Sequence, residues 1–81
     1  KSFVEKLRTV IADHDVLRLK GFVDVPGKPM RLVVQAVGSR IDHYFDRSWN
    51  PGEQRQSRLV VIGLHDIDTA AITSAVTAAA A

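Results

Sequence analysis

A chain of 81 residues makes one small domain, near the lower limit at which a single core holds without disulfides or a structural metal. Its 46% hydrophobic and 25% charged content are those of an ordinary globular chain, with no apolar run near the ~20 residues of a membrane span and no signal-peptide pattern at its start. A net charge of +2, with eleven basic residues scattered among nine acidic ones, builds no cationic stripe for nucleic acid. The absence of cysteine excludes disulfides, thiolate metal sites and a cysteine nucleophile, and fits a cytoplasmic chain.

From Ser2 to Ala12 the chain reads as a helix: Phe3, Leu7, Val10 and Ile11 recur at helical spacing, with Glu5, Lys6, Arg8 and Thr9 filling the other side. Ser2 and Glu5 have the spacing of a capping box, and Asp13-His14-Asp15 breaks the pattern. Two alternating runs then flank Val25-Pro26-Gly27-Lys28-Pro29. Pro26 presets φ for the first central position of a type II turn, and Gly27 supplies the positive φ of the second. With Val25 facing Met30, Leu17, Leu19, Gly21 and Val23 share a core face with Leu32, Val34 and Ala36. The outer face then carries Arg18, Lys20, Phe22 and Asp24 beside Arg31, Val33, Gln35 and Val37.

Gly38-Ser39 makes a second tight turn into a third strand, Arg40 to Trp49. Its alternation puts Ile41, His43 and Phe45 on the core face and Asp42, Tyr44 and Asp46 outside. Pairing Val37 with Arg40 sets Asp46 opposite Arg31, which already faces Asp24, so a charge ladder is expected. Asn50 to Ser57 is a polar loop turning at Pro51-Gly52. A fourth strand, Arg58 to Leu64, is apolar on both faces, so it either lies centrally or meets something beyond this chain. An amphipathic helix from Ile67 to about Ala79 closes the chain, capped by Asp66 or Asp68, with Ile72, Ala75, Val76 and Ala79 on one stripe. The order α-β-β-β-β-α predicts an α+β fold, a four-stranded antiparallel sheet with both helices on one face. The fourth strand can pair with the third or with the first. Residues 1–81 form a single domain, and Lys1 at the start marks an expected piece of a larger protein.

Candidate chemistry is sparse. His14, His43 and His65 lack the close spacing of metal motifs. His14 reads as a helix C-terminal residue favoured by the dipole, His43 as a core imidazole, and His65, beside Asp66, as the one weak metal candidate. Asp42, Tyr44 and Asp46 share an open sheet face with arginines, where nothing excludes water from an acid/base pair. Ser39, Ser48 and Ser57 have no base arranged beside them. Gly27-Lys28 lies in a hairpin turn, outside the strand–loop–helix setting of a phosphate loop. The aspartates on the outer face would repel nucleic-acid phosphates. No catalytic residue, cofactor-binding residue or nucleic-acid partner is assigned.

The blocks RLKGFVDVPGKPMRLVVQAVG from Arg18, RIDHYFDRSW from Arg40 and RLVVIGLHDID from Arg58 resemble the C-terminal domain of the CobW family. That family comprises P-loop GTPases acting as metal chaperones and metal-insertion factors. The likeness runs from about Val16 to Ile72 and is nearest the branch tied to cobalamin biosynthesis and cobalt delivery to the corrin ring. It implies a parent protein that uses GTP, magnesium and a transition metal, cobalt or zinc. The family's phosphate loop, magnesium ligands and Cys-x-Cys-Cys motif have no counterpart in these residues, so no catalytic role transfers. The resemblance implies an accessory domain that packs on the GTPase domain of the same chain, with a client metalloprotein or cobalt chelatase component as a further partner. The expected interaction face is Arg18, Lys20, Phe22, Arg31, Val33 and Tyr44, with one side of the fourth strand. A piece excised from its parent is expected to homodimerise through it. The alternative reading is an auxiliary cobalt- or zinc-binding domain using His65.

Overall fold

The computed structural model describes residues 3–38, 40–64 and 66–80. Ser2 of the expected capping box, Ser39 of the second turn and His65 lie outside the described residues. The elements are α1 (Phe3–Asp13), β1 (Val16–Val23), β2 (Met30–Val37), β3 (Arg40–Ser48), β4 (Arg58–Gly63) and α2 (Thr69–Ala80). The chain is therefore the expected α+β fold, with one antiparallel sheet in the order β3-β2-β1-β4. Of the two positions left open for β4, the sheet takes the one beside β1.

Local chemistry explains the first hairpin. Lys28 N donates to Val25 O at 3.1 Å and Gly27 has φ +80°, the type II geometry that Pro26-Gly27 favours. The resulting register pairs Leu19 with Ala36, Gly21 with Val34 and Val23 with Leu32, as the alternation predicts. Between β2 and β3 the expected register holds from Val37↔Arg40 to Leu32↔Phe45. It then shifts: Arg31 stands opposite Arg47, and Asp46 becomes the extra residue of a bulge. The turn that follows α1 closes on Asp15 at φ +54°, a left-handed conformation that aspartate tolerates better than most residues. α2 is capped by Asp68, whose Oδ1 accepts from Ala71 N at 3.0 Å.

One core joins Leu7 of α1, Ile72 and Val76 of α2, and Val16, Leu19, Val23, Val25, Leu32, Val34 and Ala36 of the sheet side. The helices pack on each other and lie over β1 and β4. That placement corrects the expectation for β3. His43 does face Val34, but it is exposed, because the helices lie over β1 and β4 and β3 is at the margin of what they cover. Its ring meets only the edge of Phe3, with centroids 5.4 Å apart. Phe45 is exposed for the same reason, and Leu17, expected in the core, is exposed beside the β1–β4 register shift.

Gly21 is the position where the sheet demands glycine. A Cβ there would press on the carbonyl oxygen of Arg58 and lie 2.9 Å from Leu59 Cα, and its φ is +156°. The bare backbone lets β4 close on β1. Ser57 ties the same end to α2: its Oγ accepts from Asp24 N at 3.0 Å and from Thr77 Oγ1 at 2.9 Å.

Candidate interaction surface

The outer face of the sheet, away from both helices, falls into rows set by the registers. Arg58, Phe22, Val33 and Tyr44 form one row. Val60, Lys20, Gln35 and Asp42 form the next, and Ile62, Arg18, Val37 and Arg40 the third. The polar loop covers the first row in part and leaves the others open.

At the covered end, Trp49 folds back over Phe22, with ring centroids 5.9 Å apart in an edge-on arrangement. Arg31 lies 4.5 Å from the Phe22 centroid and Arg55 lies 5.4 Å from that of Trp49, both within cation–π range. Trp49 Nε1 is buried without a hydrogen-bond partner, so the indole serves as an apolar lid. Arg55 holds the loop down: it donates to Asp24 Oδ1 at 2.7 Å and to Lys28 O at 2.6 Å. Glu53 closes the loop on itself, accepting from Asn50 N at 3.0 Å while its carboxylate takes both terminal nitrogens of Arg47 at 2.9 Å. The Arg47 hydrogen bonds, and then the Asn50 amide, bring the Glu53 carboxyl down to about 2.

Arg31 and Asp46 do pair, in a bidentate contact at 2.8 to 3.1 Å, although the bulge removes them from direct opposition. That bond lowers the Asp46 carboxyl and raises the Arg31 guanidinium. The ladder expected through Asp24 is not formed, because Asp24 turns to Arg55. The long-range loop supplies a closer cation than the neighbouring strand does.

The open part carries exposed apolar groups: Val60 at 70%, Val37 and Tyr44 at 53%, and Ile62 at 52%. Of the six residues expected to form the interaction face, Arg18, Lys20 and Tyr44 reach solvent, whereas Phe22, Arg31 and Val33 are half-buried. Trp49 and the loop went unrecognised as a cover. The available signal was an aromatic residue next to Asn50-Pro51-Gly52, where a turn can fold it back on the sheet. β4 is an edge strand and not a central one, so of the two expected reasons for its two-sided apolar character the central position is ruled out, and Val60 and Ile62 stand exposed on the outer face.

Among the described residues no group of three or more His, Asp or Glu side chains could hold a metal. His14 sits at the end of α1 and His43 on β3, at the other side of the sheet from β4. Among them, too, no helix is long and apolar enough to cross a membrane.

The family model of the cobalamin synthesis protein cobW C-terminal domain matches residues 3–80. The chain belongs to this family. As a CobW C-terminal domain it is similar to a zinc chaperone CobW of Sinorhizobium sp, 68% identical over 77 residues, covering 95% of this chain and 22% of the relative. It is also similar to a zinc chaperone CobW of Pseudomonas aeruginosa, 52% identical over 73 residues, covering 90% of this chain and 19% of that protein. The chain thus spans about a fifth of the length of the curated relatives it matches. No solved structure matches it.

Proposed function

We propose that this chain is the accessory, non-catalytic domain of a CobW-type metallochaperone, docking on the GTPase domain of the same parent through the open part of its outer sheet face. The observation that carries this reading is the exposed cluster Val37, Tyr44, Val60 and Ile62 interleaved with Arg18, Lys20 and Arg40. Two helices cover only one face of a sheet, and a wholly solvated face alternates to polar residues. A mixed apolar and basic patch suits an interface between domains of one chain, which is more polar than an obligate one. The relatives' name, zinc chaperone, favours zinc over cobalt as the parent's cargo. A supporting role in cobalamin biosynthesis rests on the family description.

The test is a double substitution, Val37→Glu with Tyr44→Ser, on the β2 and β3 part of the face. Neither residue belongs to the buried core, so circular dichroism should be unchanged while association with the parent's GTPase domain falls. Unaltered association would refute docking through this face.

A further inference from the structure

Covering the outer face leaves one feature unanswered: β4 is an edge strand, rich in apolar residues, whose one charge is Arg58 at its start. Arg58–Gly63 reads RLVVIG, with no acidic residue, no lysine and no proline. Edge strands ordinarily carry such residues, or a bulge, to prevent pairing with another chain. The one register shift in the β1–β4 ladder puts its extra residue, Leu17, in β1, and leaves β4 itself without a bulge.

The hydrogen-bond phase identifies which backbone groups are bare. Gly38 N donates to Leu17 O at 3.2 Å, so Leu17 belongs to the β1 residues bonded toward β2. Alternation along an antiparallel ladder then turns Arg18, Lys20 and Phe22 toward β4, and their partners Ile62, Val60 and Arg58 toward β1. The N–H and C=O groups of Leu59 and Val61 therefore point outward along the free edge. The close approach at Gly21↔Leu59 agrees, because non-hydrogen-bonded pairs are the nearer ones.

The surroundings of this edge have a definite chemistry. A groove of about 710 Å³ opens there, lined among others by Lys20, Phe22, Ser57, Arg58, Leu59 and Thr73. Every charged residue in β1 and β4 is basic: Arg18, Lys20 and Arg58. Among the described residues no carboxylate forms an ion pair with any of the three. A strand added to β4 would set alternate side chains beside Arg58, Val60 and Ile62 on the outer face, where the long side chains of Lys20 and Arg18 extend from β1 one strand further in, and the others beside Leu59 and Val61 on the helix side.

We propose that the free edge of β4 accepts an extended segment of a protein partner as a fifth strand, with acidic side chains toward Arg18, Lys20 and Arg58 and apolar ones toward Leu59 and Val61. Main-chain bonds to Leu59 and Val61 would provide affinity, and the basic row would select the partner. The same charge disfavours a second copy of this chain, which would bring another Arg58 to the seam. This site goes beyond docking through the sheet face, because its affinity comes from the bare backbone edge of β4 and not from the side chains of the open face.

The experiment measures binding of fluorescent synthetic peptides to the 81-residue chain. An acetylated peptide of alternating glutamate and valine should bind saturably, its lysine–valine counterpart roughly tenfold more weakly. N-methylation of alternate amides on the glutamate peptide should abolish binding. Lys20→Glu with Arg58→Glu should weaken it by roughly tenfold with unchanged circular dichroism; should that variant not fold, the peptide series on the unaltered chain decides alone. Equal binding of the acidic and basic peptides, or retention by the N-methylated one, would overturn the proposal. So would displacement of the peptide by an oligothymidylate, or self-association of the chain that Val61→Pro abolishes. The assay contains no GTPase domain, and Tyr44→Ser, on β3 at the far side of the sheet, should leave peptide binding intact, so loss of docking and loss of strand addition are read separately.

Discussion

Gly21→Ala is the substitution that most directly questions how β4 is held. The new Cβ would press on the carbonyl oxygen of Arg58 and lie 2.9 Å from Leu59 Cα and 3.0 Å from the Arg58 carbonyl carbon. All three are backbone atoms, so no side-chain rotation relieves the clash, and β4 must move away from β1. Overpacking of this kind costs about 1–3 kcal/mol, and holding a non-glycine residue at a φ of +156° costs about 1–3 kcal/mol more. A domain of this size has a total stability of about 4–12 kcal/mol. With a urea slope near 1 kcal/mol/M, the unfolding midpoint followed by far-UV circular dichroism should fall by about 2 M or more. Gly27→Ala is the control: its φ is +80° but nothing lies within 4 Å of its Cβ, so only the conformational term of about 1–2 kcal/mol applies. A midpoint for Gly21→Ala no lower than that of Gly27→Ala would refute the close approach of β4 to β1.

Trp49→Phe should change stability by less than about 1 kcal/mol, because it removes an unpaired buried N–H together with some apolar area, whereas Trp49→Ala should cost about 2 kcal/mol by uncovering Phe22; urea titration by circular dichroism separates the two. The Glu53 carboxyl titrates at about 2 in the folded chain against an ordinary 4.5, so its pairing with Arg47 adds stability that is fully present above pH 4.5 and is lost as pH falls toward 2. Glu53→Gln should flatten that part of the stability–pH curve, and an unchanged curve would remove Glu53 as its source. Zinc and cobalt should bind no better than weakly in calorimetry, since His14 and His43 occupy separate parts of the fold; a sub-micromolar constant lost in His65→Ala would instead favour an auxiliary metal site. A fluorescent guanine nucleotide should not bind this chain, and micromolar binding would contradict its accessory role.

Much of the fold was legible because its determinants are local. Pro26-Gly27 sets the turn between β1 and β2, alternation assigns the faces, and Asp68 starts α2. The family, too, was legible in the blocks starting at Arg18, Arg40 and Arg58, and residues 3–80 match its model. The proposed interaction face was legible only in part: alternation put Lys20 and Phe22 on the same outer face, but only the fold distinguishes the exposed residue from the one under Trp49.

What the tertiary structure decided is everything that depends on partners distant along the chain. The loop from Asn50 to Ser57 could carry β4 to either edge of the hairpins, and the bare backbone at Gly21 receives it beside β1. The helices follow β1 and β4, so His43 and Phe45, correctly assigned to the inner face, remain exposed at the margin of what they cover. Asp24 takes Arg55 in place of Arg31, and Asp46 reaches Arg31 from a bulge. Alternation in a sequence determines the side to which a residue points. Which neighbour it meets there, and whether anything covers it, is determined only when segments remote in sequence pack together.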